Sequence, residues 1–239
     1  MIRSDDRLCF LGDSITEGVG TTKTYADFIA EATGAAVHRF GVNGAQSIEL
    51  FEQMDRMDAE IGNRFTMLFV FIGTNDFNAG VPTGSFWTEH DAEFPCNSDA
   101  NGTFTQHAMH RKREVVLDPT TFCGRLNLVF DRIKKQYYDK RVILMTPIHR
   151  AYAYFGGANI QPNELYSNRA GLFLDEYIRL ERQAADIWSV ELVDLYRNSG
   201  LFPLDDGSAR TYFSNMQTDR LHPNSEGHKR IAQTILRSV

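Results

Sequence analysis

The stretch Met67-Leu68-Phe69-Val70-Phe71-Ile72-Gly73-Thr74-Asn75-Asp76 decides the fold. Residues 67–72 are apolar without alternation, so a strand here must be covered on both faces. That is the signature of a central strand in a parallel sheet, and Gly73 marks its end. Working outward, residues 8–11 form a short buried-strand run ending at Gly12, and residues 36–40 form a second strand. Residues 142–145 and 190–193 supply the fourth and fifth. Helical patterns lie between. Residues 25–32 read as a helix stopped by Gly34. Ser47 is a plausible N-cap for a helix to about Asp58, with Glu49 near its positive end. Residues 120–138 place Phe122, Leu126, Val129, Phe130 and Ile133 on one helical face. Residues 164–185 read as a long helix, and Pro223 and Asn224 precede a last one to about Leu236. Strands and helices alternating from end to end predict an α/β fold, a parallel five-stranded sheet with helices on both faces.

Two segments break the rhythm. Residues 77–118 hold Gly, Pro, Asn and Asp with Phe77, Phe86, Trp87, Phe94 and Phe104, and show no clear period. A loop this long leaving directly from Asn75 is expected to hang over the site as a lid, or to be a surface elaboration that covers core. Residues 148–162 form a smaller insertion rich in Tyr, Gly and Asn. No repeat, low-complexity tract or linker divides the chain, so one domain over residues 1–239 is expected.

The bulk numbers exclude several classes. With 239 residues, 42% of them hydrophobic, the chain can bury a sizeable core, and 17 Phe with 9 Tyr favour an ordered fold. A net charge of −6 argues against nucleic acid or an anionic membrane surface as the main partner. The basic run Arg111-Lys112-Arg113 is short, precedes Glu114, and reads as solvated surface. No apolar run is long enough to span a bilayer, so no integral membrane association is expected. In the polar start, residues 2–7, no secretory signal is visible. The expectation is a cytoplasmic protein, or an exported one whose leader has been removed. Cys9 lies inside a strand pattern. Cys96 and Cys123 could pair, although reduced thiols fit a cytosolic protein better. Nothing in the sequence speaks to oligomeric state.

The chemistry gathers at strand ends. In open parallel sheets, ligands bind outside the carboxyl ends of the strands. Ser14, Gly44 and Asn75 each follow a predicted strand, so they converge on that edge. Ser14 lies in Gly12-Asp13-Ser14-Ile15-Thr16, and its hydroxyl needs a base to become a nucleophile. His222, in Asp219-Arg220-Leu221-His222-Pro223, can accept and return a proton near neutral pH. Asp219 precedes it by three residues, and one helical turn would put both side chains on the same side. A hydroxyl, an imidazole and a carboxylate are the parts of a catalytic triad. The N–H groups of Ser14 and Gly44 and the side chain of Asn75 are the parts of an oxyanion hole. Each segment alone could be an ordinary turn, cap or surface pair. Together and in order they point to acyl transfer to water.

Other residues are weaker candidates. Asp13 and Asp76 read as braces for the loops, with Asp13 also a candidate substrate contact. His149 and Arg150 follow the fourth strand and are placed at the pocket rim. Trp87, with Phe86, Tyr152, Tyr154 and Phe155, could stack on sugar rings or simply pack the insertions onto the domain. His38, His90, His107, His110 and His228 read as strand, loop or helix-surface residues. His107 and His110 have no third ligand, so no metal is expected.

At these residues the chain resembles the SGNH (GDSL-type) hydrolases, a family of esterases and lipases. The segment 12–18 resembles the family's nucleophile segment, 41–45 its Gly segment, Gly73-Thr74-Asn75-Asp76 its Asn segment, and Asp219-x-x-His222-Pro223 its Asp/His segment. The resemblance implies a three-layer α/β/α sandwich around a flavodoxin-like sheet. It also implies a Ser14/His222/Asp219 mechanism with oxyanion donors at Ser14, Gly44 and Asn75, and no cofactor. The reading that follows is a hydrolase of small-molecule carboxylic esters with short acyl groups, with an acetylated carbohydrate as a reasonable substrate. A lysophospholipase or thioesterase, in which insertion aromatics line an acyl tunnel, is one alternative. A ligand-binding module without turnover is another. A nucleotide binder using the loop 12–18 is a third, but the chain lacks the Gly-rich loop and Lys that such a phosphate cradle needs.

Overall fold

The computed structural model describes residues 1–239. The chain enters through β1 (Arg7–Gly12), buried over its last five residues. It turns at once into α1 (Ser14–Glu17), capped by the Asp13 side chain, which accepts from the Ile15 N–H. α2 (Tyr25–Thr33) opens on a capping box between Thr24 and Asp27. Then follow β2 (Ala36–Arg39), α3 (Leu50–Ile61), β3 (Met67–Phe71) and α4 (Thr74–Asn78). β4 (Trp87–Ser98) and β5 (Phe104–Val115) precede α5 (Phe122–Gln136) and β6 (Arg141–Met145). Two short strands, β7 (Ala153–Tyr154) and β8 (Ile160–Gln161), precede α6 (Leu174–Trp188) and β9 (Glu191–Val193). The chain ends through α7 (Leu195–Asn198), α8 (Asp206–Tyr212), β10 (Phe213–Asn215), β11 (Asp219–Pro223) and α9 (Ser225–Ser238).

The main sheet runs β2-β1-β3-β6-β9, parallel throughout. This is the flavodoxin-like order, with β3 at its centre. Every residue of β3 is buried, and alternate side chains go to opposite layers. Leu68 and Val70 join a core built with α3, α5 and α6. Met67, Phe69 and Phe71 join a second core with α2 and α9. The unbroken apolar run is therefore what a three-layer α/β/α sandwich demands of its middle strand. Phe69 stacks on Phe10 at 4.7 Å, and truncating either to Ala would cost about 3–5 kcal/mol. A smaller antiparallel sheet, β10-β11-β7-β8, carries the Asp219–His222 segment.

Several sequence expectations change. Residues 77–118 are not an irregular loop: β4 and β5 pair as a long antiparallel hairpin. Nearly every residue of both strands is exposed, so neither face imposes the alternation that makes a strand legible. Arg113 donates to Glu89 at 2.9 Å on this exposed surface, so the basic run is indeed solvated. The hairpin root is clamped to α5, where the buried Asn127 donates Nδ2 to the carbonyls of Phe86 (2.9 Å) and Val116 (2.8 Å). Residues 164–173 are not helical. The Asn168 side chain accepts from the amides of Ala170 and Leu172 there, a local alternative to helix, and α6 starts only at Leu174. Ser47 does not cap α3. It opens a short 3₁₀ turn, and its hydroxyl donates to Asp76 instead. His228 is buried rather than on a helix surface. Cys96 is exposed on the hairpin and Cys123 is buried in α5, so both are free thiols, as is Cys9.

Candidate active site

Ser14 is the first residue of α1 and is 4% exposed. Its Oγ lies 2.9 Å from His222 Nε2. His222 Nδ1 lies 2.8 Å from Asp219 Oδ2. A carboxylate only accepts, so Nδ1 carries the proton and Nε2 is left to accept from the Ser14 hydroxyl. Asp219 and His222 do not share a helical turn as the spacing suggested. They lie on strand β11, where residues three apart point to opposite faces. The Asp219 side chain curls forward along its own backbone, and its Oδ1 accepts from the amides of Leu221 (3.1 Å) and His222 (3.0 Å). That curl brings Oδ2 to the imidazole. Burial pushes the Asp219 carboxyl up, but its hydrogen bonds from His222 and Ser214 and the charge of His222 outweigh it. The group is held below the usual carboxylate range.

Gly44 has φ 81°, a conformation other residues reach only with strain, and open space lies where a Cβ would point. The positive φ alone is reason for a glycine at this position. The Gly44 N–H has no acceptor within the protein. Asn75 sits in the first turn of α4. Its Nδ2 donates one hydrogen to the Ala45 carbonyl at 3.0 Å, leaving the second for a ligand. Asp76 staples these two loops together. It accepts from the Ser47 amide (2.8 Å), the Ser47 hydroxyl (2.7 Å) and Arg125 Nη1 (2.9 Å). Asp13 is buried behind Ser14, and burial pushes its carboxyl up to about 6.

These residues open on a cavity of about 380 Å³, and only three of its ten lining residues, Val19, Phe155 and Leu221, are hydrophobic. Part of the wall comes from the smaller insertion, through Phe155, Asn159 and Gln161. The Phe155 ring lies 5.6 Å from that of His222. No residue of the β4–β5 hairpin lines this cavity; the hairpin root is tied to α5. Of the two insertions, the smaller one therefore supplies the lining of this cavity.

Four candidates do not line the cavity. Trp87 packs at the hairpin root against the core with α5 and α6. His149 faces away from the triad, with Nδ1 2.6 Å from Glu164 and its ring 3.7 Å from that of Tyr196. Arg150 is completely buried, so it cannot form the rim. It stands behind the wall, donating Nη2 to Gln161 Oε1 at 2.7 Å, and burial lowers its guanidinium to about 10. Asp13, 1% exposed, is likewise a cap for α1 and does not line the cavity. Sequence reasoning missed Val19, Asn159, Gln161 and Ser214. The only signal for Asn159 and Gln161 was their place in an Asn-rich insertion after the fourth strand. No three His, Cys, Asp or Glu side chains are grouped to hold a metal ion. No helix is long and apolar enough to cross a membrane.

Ser14, His222 and Asp219 thus form one hydrogen-bonded chain at the carboxyl edge of a flavodoxin-like α/β sheet. The chain belongs to the GDSL-like lipase/acylhydrolase family, whose profile matches residues 10–230. Solved structures with the same fold include a protein from Lactobacillus plantarum (23% identity, 99% of this chain and 97% of that one, TM-score 0.74). A possible lipase from Chitinophaga pinensis has 19% identity over 98% and 97% of the two chains, with a TM-score of 0.69. An acetylxylan esterase from Geobacillus stearothermophilus has 17% identity over 99% and 95%, with a TM-score of 0.59. No curated protein matches the sequence.

Proposed function

We propose that the protein hydrolyses short-acyl carboxylic esters, foremost acetyl esters of polar alcohols such as carbohydrates, through a Ser14 acyl-enzyme. The observation that carries the reading is the hydrogen-bonded chain Ser14–His222–Asp219 opening on a polar cavity of about 380 Å³. Ser14 Oγ attacks the ester carbonyl carbon as His222 Nε2 takes its proton. The negative charge on the carbonyl oxygen is received by the N–H groups of Ser14 and Gly44 and the free hydrogen of Asn75 Nδ2. The intermediate collapses, the alcohol leaves with the proton from His222, and the acyl group stays on Ser14. Water then attacks by the same route and frees the acid. Asp219 holds the imidazole tautomer and stabilises its protonated form.

The polar lining supports a short acyl group and a hydroxylated leaving group. A long chain would leave Asn43, Asn159 and Gln161 facing methylenes, at a desolvation cost. An acyl tunnel built from the aromatics of the larger insertion, as a lysophospholipase or thioesterase would need, has no support, since none of those aromatics lines the cavity. The acetylxylan esterase among the structural neighbours fits this reading. The test is hydrolysis of p-nitrophenyl esters from acetate to palmitate by wild type beside Ser14→Ala. The expected result is kcat/KM highest on acetate and abolished by the substitution. A maximum at long chains would overturn the short-acyl assignment, and turnover retained by folded Ser14→Ala would overturn the nucleophile.

A further inference from the structure

We propose that Ser214 is a fourth, positioning member of the catalytic chain, fixing the Asp219 carboxylate through the same oxygen that meets His222; this rests on the triad reading above. Ser214 lies on β10, which pairs with β11 through Phe213↔Pro223 and Asn215↔Asp219, with a register shift between those pairs. Such irregularities re-aim a side chain beside active sites. Here the shift turns Ser214 toward Asp219, where its Oγ is 2.7 Å from Oδ2 and 3.4 Å from the Asp219 carbonyl. A hydroxyl has one hydrogen, and the shorter, charge-assisted contact to Oδ2 is the one it makes.

The carboxylate is then fully engaged. Oδ1 accepts the amides of Leu221 and His222, and Oδ2 accepts His222 Nδ1–H and the Ser214 hydroxyl. No other side chain reaches it. Among neighbouring charged groups, Arg220 is turned to Asp206, while Asp13 behind Ser14 and His228 on α9 act on His222 only through space. Two effects follow from the second donor on Oδ2. The carboxylate cannot rotate away from the imidazole. Its charge is also shared, so it holds protonated His222 firmly enough to form it and loosely enough to release its proton to the leaving alcohol. The turn at Gly20 closes the assembly. Gly20 has φ 82°, and a Cβ there would lie 2.9 Å from the Cβ atoms of both His222 and Ser214. The backbone therefore presses directly on both residues, with no room for a side chain.

The experiment compares wild type, Ser214→Ala, Ser214→Cys and Ser14→Ala on p-nitrophenyl acetate across pH, with thermal melting of each. Ser214→Ala should lower kcat about tenfold with KM little changed. The acid limb of its kcat profile should move to higher pH by about half a unit, because a carboxylate with one fewer donor binds the imidazolium more tightly. Ser214→Cys keeps the shape and a weak S–H donor and should fall between. A merely structural Ser214 would change melting and leave the limb in place. Wild-type kcat and limb in folded Ser214→Ala, with Ser14→Ala inactive, overturn this inference alone. Should Ser214→Ala not fold, an unmoved limb and undiminished kcat in Ser214→Cys overturn it. Turnover in Ser14→Ala overturns the triad reading beneath it.

Discussion

Replacing His228 by Asn should flatten the acid side of the stability curve by about 2 kcal/mol between pH 7 and pH 5. His228 lies fully buried in the first turn of α9, stacked on Tyr25 at 5.9 Å between ring centroids. Its Nδ1 accepts from the Tyr25 amide at 3.1 Å, and its Nε2 is buried with no partner. Burial lowers the imidazole from 6.5 to about 3, and the positive end of α9 acts in the same direction. Below pH 6.5 the unfolded chain therefore takes up a proton that the folded chain refuses, and stability falls as pH drops. At about 1.36 kcal/mol per pH unit per proton, the loss from pH 7 to pH 5 is about 2 kcal/mol. Asn places an acceptor where Nδ1 was, so the Tyr25 amide stays satisfied. Any cavity left behind costs the same at both pH values and drops out of the difference. Wild type alone is a poor test, because Asp13, raised from 3.8 to about 6 by burial, works the other way. As pH falls through its window the folded state gains a proton that the unfolded one does not, which adds stability. The assay is urea unfolding by circular dichroism of both proteins at pH 7 and pH 5. A wild-type-minus-variant difference that does not change with pH would refute the reasoning.

The other expectations concern the site and the hairpin. Asn75→Ala removes the proposed oxyanion donor and its tie to the Ala45 carbonyl; kcat on p-nitrophenyl acetate should fall about 10²–10³-fold with little change in KM. Asp219→Asn should cost less than His222→Ala in kcat, because some base chemistry survives loss of the orienting group; equal losses would mean that Asp219 does more than orient. Replacing residues 88–114 by a short Gly-containing turn should leave acetate hydrolysis unchanged and lower Tm by under about 5 °C, since the excised strands are exposed and the Asn127 clamp is kept. A large activity loss would show that the hairpin acts on the site.

The parts of the fold legible in the sequence are those that the sandwich buries on two sides. β1, β3 and β6 read as apolar runs because each must feed both cores, and α5 reads from Phe122, Leu126, Val129, Phe130 and Ile133 because one face is buried. The β4–β5 hairpin was illegible because it is wet on both faces. The start of α6 was misplaced because Asn168 diverts the backbone where the apolar pattern alone continues. In the site, Ser14, Gly44 and Asn75 were foreseeable because strand ends in a parallel sheet share one edge. The spacing of Asp219 and His222 suggests a shared helical turn, but the carboxylate instead reaches forward along a strand. Asn159 and Gln161 come from an insertion whose strands are two residues long, too short to show a period. Ser214 depends on a register shift between β10 and β11, which no local pattern encodes.

The central claim is that Ser14 is activated by His222. Its most direct test is the intact mass of the protein after brief treatment with diethyl p-nitrophenyl phosphate, with peptide mapping of the adduct. The account predicts one diethyl phosphoryl group per chain, located on Ser14, absent in Ser14→Ala and much slower to form in His222→Ala. Labelling at another residue, or undiminished labelling of His222→Ala, would contradict it.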